Sequence, residues 1–107
     1  MLEILKVMKE GSAERIDVGR IKTKLKAAVK KVMTSAPYGL YEDEVEEYSA
    51  VDVKMTEDGY IKAEIRAEVS YDGLMDLCTA CDPIIQKYDP DAYFEPECPG
   101  IINAIIR

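Results

Sequence analysis

The chain has no histidine, no tryptophan and a single phenylalanine. Without histidine there is no Ser–His or Cys–His nucleophile pair, no imidazole base, and none of the commonest metal ligand. No segment reaches the ~18 consecutive apolar residues that a membrane helix needs. The opening segment Met1–Lys9 lacks the long apolar stretch and small-residue cleavage site of a secretory signal. Gly-x-Gly-x-x-Gly, the P-loop and Gly-x-Ser-x-Gly are also missing. Catalytic grammar is therefore thin, and no catalytic residue is assigned. Positive charge is in deficit: 14 Lys and Arg face 21 Asp and Glu, for a net −7. That balance argues against a protein that coats DNA.

What is present describes one globular domain. The chain has 107 residues, 48% hydrophobic and 33% charged, enough for one modest core across residues 1–107. Its three cysteines are an odd number. With no sign of secretion, the expectation is reduced thiols in a cytoplasm.

Periodicity divides the chain into six elements. Leu2–Met8 is a short, mainly aliphatic strand. Asp17 can cap a helix running to about Ser35, because its carboxylate can accept from open N–H groups of the first turn. Ile21, Leu25, Ala28, Val29, Val32 and Met33 recur at spacings of three, four and seven, which places them on one stripe. Pro37 and Gly39 stop that helix, and an acidic loop, Tyr41–Tyr48, follows. Val51, Val53 and Met55 alternate with polar or small residues, as do Ile61, Ala63, Ile65, Ala67 and Val69. Period two on both sides of the turn Thr56–Gly59 makes a hairpin. Asp72 can cap a second helix bearing Leu74, Leu77, Cys78, Cys81, Ile85 and Tyr88. Pro83 either interrupts this helix or starts a new helical turn. A loop through Pro96, Pro99 and Gly100 leads to a last strand, Ile101–Ile106.

The order strand, helix, strand, strand, helix, strand predicts an α+β fold. It is the ferredoxin-like β-α-β-β-α-β sandwich, with two helices on one face of a four-stranded antiparallel sheet. In that arrangement the first and third strands are central and the last lies beside the first. The hairpin strands each carry a charged face, as suits a sheet face in water. The terminal strands do not. Leu2 and Ile4 point opposite to Leu5 and Val7, and Ile101 and Ile105 opposite to Ile102 and Ile106. As neighbours these residues form a contiguous apolar patch, the mark of a partner surface. Either a terminal or loop segment of the chain covers it or a partner does; two-fold self-association is the commonest form of the second, and a dimer is the favoured assembly.

Charge is unevenly placed. Residues 1–34 carry nine basic and four acidic side chains, and residues 35–107 five basic and seventeen acidic. Lys22, Lys24, Lys26, Lys30 and Lys31 make the first helix a basic stripe. It is either a surface for an anionic partner such as nucleic acid or a solvated face balancing the acidic loop. Without interleaved aromatics the second reading is favoured. Glu42–Glu47 lacks the alternating spacing and central glycine of a calcium loop.

Cys78-Thr-Ala-Cys81 is a Cys-x-x-Cys pair, and Cys98 is the third thiol. The pair can cycle between dithiol and disulfide. Three thiolates with one outside ligand can hold zinc, and three can hold an iron–sulfur cluster. Against this, Cys78 and Cys81 share the register of Leu74, Leu77 and Ile85, where a free cysteine packs as a small hydrophobe. Cys78 also lies inside a helix rather than at its start, away from the dipole that stabilises a thiolate.

Glu95-Pro-Glu-Cys-Pro-Gly-Ile101, following a strand and a helix, resembles one half-repeat of the TATA-box-binding protein family. There an aromatic–x–Pro–Glu stretch and a Pro-Gly lead from helix to strand. The likeness covers about residues 60–106 and implies a shared helix-to-strand connection. The family's DNA binding uses two repeats, a basic concave sheet and wedging phenylalanines. This chain has one candidate half, an acidic balance, and Phe94 as its only phenylalanine. In general look the sequence is also similar to small uncharacterised proteins of methanogenic archaea.

These readings point to a non-catalytic, homo-oligomeric interaction or regulatory module that needs no cofactor. The alternative is a zinc, iron–sulfur or redox protein using Cys78, Cys81 and Cys98. A second alternative is a nucleic-acid binder acting through the first helix.

Overall fold

The structure, a computed structural model, describes residues 18–107. The expected strand Leu2–Met8 and the Asp17 cap lie outside the described residues. The first described helix, α1 (Val18–Thr34), buries Ile21, Leu25, Val29 and Met33, with Ala28 and Val32 packed alongside. This is the stripe its spacing predicts. Next come α2 (Glu42–Tyr48), β1 (Ser49–Met55), β2 (Ile61–Ala67), α3 (Tyr71–Gln86), β3 (Glu95–Cys98) and β4 (Ile101–Ile106).

The architecture is α+β, with helices packed against a four-stranded antiparallel sheet, and is compatible with ferredoxin-like layering. Strand order is β1-β2-β4-β3. It differs from the expected order. Both ladder sides of β4 are filled, by β2 and by β3. Register sets Val51 opposite Ile65 and Ile65 opposite Ile102, and likewise Val53, Ala63 and Ala104 in line. These residues are buried together with the inner faces of α1 and α3 in one core.

Five local features depart from the sequence reading. The acidic stretch after Tyr41 is the helix α2, not a loop. The Glu44 carboxylate accepts from the Tyr41 N–H at 2.9 Å, Val45 is buried against the core, and Glu42, Asp43 and Glu44 occupy the first turn, where the helix dipole favours negative charge. Ser70, not Asp72, caps α3, its hydroxyl accepting from the Gly73 N–H at 3.3 Å. β2 accordingly stops at Ala67, short of Val69. Pro83 lies within one continuous helix, on an exposed side. There it withholds its own N–H from the helical ladder, and its ring crowds the carbonyl four residues back. Finally, Glu95–Cys98 is a strand where a loop is expected.

The start of α3 is tightly seated. A Cβ at Gly73 would lie 2.8 Å from Val69 Cβ and 3.2 Å from the Tyr38 hydroxyl. That hydroxyl donates to Asp76 Oδ2 at 2.6 Å, which, with burial, raises the Tyr38 pKa above its ordinary value. At the other end of α3, Asp82 Oδ1 accepts from the Phe94 N–H at 2.7 Å. This bond ties the entrance of β3 to the helix.

Candidate functional site

One face of the sheet is spent in the core; the other is the candidate site. Alternation puts Ala50, Asp52 and Lys54 of β1 on the open face, then Lys62, Glu64 and Arg66 of β2, then Ile101, Asn103 and Ile105 of β4. Where charge meets charge across strands on this face, the signs are alike. Asp52 stands opposite Glu64, and Lys54 opposite Lys62. Such pairs oppose the ladder rather than support it. Glu64 is paired with Arg66 at 3.1 Å. Asp52, Lys54 and Lys62 have no ion pair among the described residues. Asn103 Nδ2 donates to Glu97 Oε1 at 2.6 Å.

Backbone parity shows which way each strand edge faces. The Thr56 N–H donates to the Tyr60 carbonyl at 2.7 Å, and the Glu68 N–H to the Tyr48 carbonyl at 3.0 Å. Both pairs continue the β1–β2 register, so even-numbered residues of β1 turn their backbone groups toward β2. Ser49, Val51, Val53 and Met55 turn theirs outward, where the described residues place no further strand. On the far side, the Ala67 N–H donates to the Gly100 carbonyl at 2.8 Å. Asn103 therefore faces β3, Glu95 faces back, and the next residue, Pro96, turns outward without an N–H to offer.

A groove of about 500 Å³ runs between α1, α2 and the Ser49 end of β1. Lys22, Lys26 and Lys30 line it at helical spacing, with Val45, Glu46 and residues 49–51 opposite. Lys30 pairs with Glu42 at 3.7 Å. Of the other predicted lysines, Lys24 and Lys31 are exposed on α1. The stripe is thus divided between a groove wall and free solvent.

Two of the thiols belong to the core. Cys81 is fully buried and Cys78 nearly so, both free, on the inner face of α3. Burial pushes the Cys81 thiol up to about 12, with Cys78 and Asp82 adding to it. Burial likewise raises Cys78, again with Asp82 contributing. Both shifts oppose the thiolate that redox exchange or metal ligation requires. Cys98 lies in β3 opposite Ile101. Among the described residues no group of three or more Cys, Asp or Glu is placed to hold a metal ion.

The predicted apolar surface divides. Ile102 and Ile106 are 0% and 1% exposed, their side chains spent in the core, whereas Ile101 is half-buried on the open face and Ile105 is exposed. Leu2, Ile4, Leu5 and Val7 lie outside the described residues. Sequence reading did not single out Asp52 and Lys54, the charged residues of the outer strand. Their opposition to Glu64 and Lys62 was available once the hairpin register was counted from the Thr56–Gly59 turn. No helix among the described residues is long and apolar enough to cross a membrane. Set against family models, curated proteins and solved structures, the chain matches none.

Proposed function

We propose that this chain is a non-catalytic module that works by associating with a second copy of itself, as an interaction or regulatory unit. The observation that carries the reading is the open sheet face. No described element roofs it, and Ile101 and Ile105 stand on it beside unbalanced charges. A surface that is neither fully apolar nor fully solvated suits a partner that supplies both contact area and counter-charge. The buried thiols fit a structural role in a reducing cytoplasm. The likeness to a TATA-box-binding half-repeat enters only as a shared passage from helix to strand.

Sedimentation velocity with native mass measurement, on protein purified anaerobically without chelator, tests the reading. The expected result is a dimer that persists when Cys78, Cys81 and Cys98 are each changed to Ser. A monomer at high micromolar concentration overturns it. One zinc or one cluster per chain moves the assignment to the thiols. Retention on immobilised nucleic acid that falls steeply with salt and is lost in Lys24→Glu/Lys31→Glu moves it to α1.

A further inference from the structure

We propose that β1 is the joining surface, pairing antiparallel with β1 of a second copy about a two-fold axis at Val53. The proposal rests on the self-association reading above and assigns its contact to the edge of the sheet, where the charges of the open face, though not Ile101 and Ile105 two strands away, meet the copy.

Backbone geometry narrows the possibilities first. An antiparallel partner must meet the outward groups of Ser49, Val51, Val53 and Met55 with outward groups of its own, and must keep inner side chains on the inner face. For a strand meeting its own copy, three registers about the middle of β1 satisfy both demands. One sets Asp52 against Asp52 on the axis. Another sets Val53 against Val53. The third sets Val51 against Val51 and leaves Asp52 opposite Ala50, so that neither charge is answered.

Charge chooses between them. The first register brings two carboxylates face to face. The second places Asp52 opposite Lys54 of the copy, and Lys54 opposite Asp52 of the copy. It also places Val51 opposite Met55, which is 55% exposed in the single chain. The like-charge pairs within the chain then gain a purpose. Asp52 beside Glu64 and Lys54 beside Lys62 form an acidic and a basic row across the hairpin. Self-pairing aligns the acidic row of one copy with the basic row of the other, producing Glu64, Asp52, Lys54, Lys62 in line across the junction, twice. The same register carries the Thr56–Gly59 turn of the copy, with Glu57 and Asp58, level with Ser49. That is the end of β1 where Lys22 and Lys26 line the groove. An acidic peptide would satisfy the groove lysines but would leave Asp52 facing more negative charge. A second copy satisfies both.

Asp52→Lys and Lys54→Asp test this separately, together and mixed. Both positions are exposed, and each single change turns a like-charge pair with β2 into an opposite-charge one. The folded monomer should therefore be no less stable by urea unfolding. Each single variant should nonetheless raise the dimer dissociation constant about tenfold, because two symmetry-related pairs become like-charged. An equimolar mixture of the two variants, and the double swap in one chain, should both return to about the wild-type value. Hydrogen exchange should show the Val51, Val53 and Met55 amides protected only in the dimer. A dimer unmoved by the single changes overturns the β1 assignment and leaves self-association standing. Single variants that weaken without recovery on mixing overturn the register. A monomeric wild type overturns both, and a monomer with those three amides already protected assigns the edge to an occupant within the chain.

Discussion

Along one edge of the sheet, β1 runs seven residues in unbroken register and turns the backbone groups of Ser49, Val51, Val53 and Met55 outward. Along the other, β3 runs four residues, slips register between Pro96 and Cys98, and presents proline where a donor would stand. Short length, a bulge and proline are the means by which proteins stop an edge from recruiting another strand. All three are on β3. β1 has none of the three; it carries alternating charges, which in the proposed pairing meet their opposites in the copy. The helices follow the same division: α1 and α2 pack on the β1 side, and α3 on β4 and β3. Among the described residues, one edge is thus closed by its own sequence while the other stays regular.

The strongest test of that difference is at Ile102, which stands opposite Ile65 on one side and Pro96 on the other. Ile102→Ala should cost about 2–5 kcal/mol by urea unfolding. Hydrogen exchange should quicken more in β3 than in β1, and equal loosening would count against independent edges. Asp82→Ala should cost about 1–3 kcal/mol, since it strands the Phe94 N–H. Asp82→Asn keeps an acceptor and should recover most of it, and neither should change self-association. Alkali should act on the same side through α3. The Cys81 thiol is held at about 12 against an ordinary 9.0, so the folded state grips its proton more tightly than the unfolded one. The resulting stability is intact below pH 9 and drains as pH rises toward about 12; Cys81→Ala should flatten that fall. The smallest energetic effect belongs to Pro96→Val, within about 0.5 kcal/mol. It restores an outward donor to β3, so light scattering should reveal species larger than the wild type forms.

Much of this frame is legible in the sequence. The period-two runs of β1 and β2 and the stripe of α1 announce themselves because one face of each is buried and the other is not. α2 is hidden by its composition, since a run of acids looks like a solvated loop until Glu44 is seen closing back on Tyr41. β3 is hidden by Pro96, which reads as a breaker although an edge strand tolerates it on its outer side. Strand order is the least accessible, because adjacent partners in a sheet depend on which ladder sides are left free. For the site, Ile101 and Ile105 follow from alternation alone. The significance of Asp52 and Lys54 lies in register, which no single strand contains.

Gly73 places a different kind of demand on the chain. Even one methyl there would press on Val69 and on the Tyr38 hydroxyl that Asp76 holds, whereas the space around Gly59 is open and only its positive φ restricts the choice. In a library of random variants the two glycines should leave different signatures. Position 59 should admit asparagine, which visits that backbone region, while position 73 should admit nothing larger than hydrogen unless position 69 gives up its own Cβ and becomes glycine. A paired loss at 69 and gain at 73 would be the genetic trace of a helix start packed against the residue that leads into it.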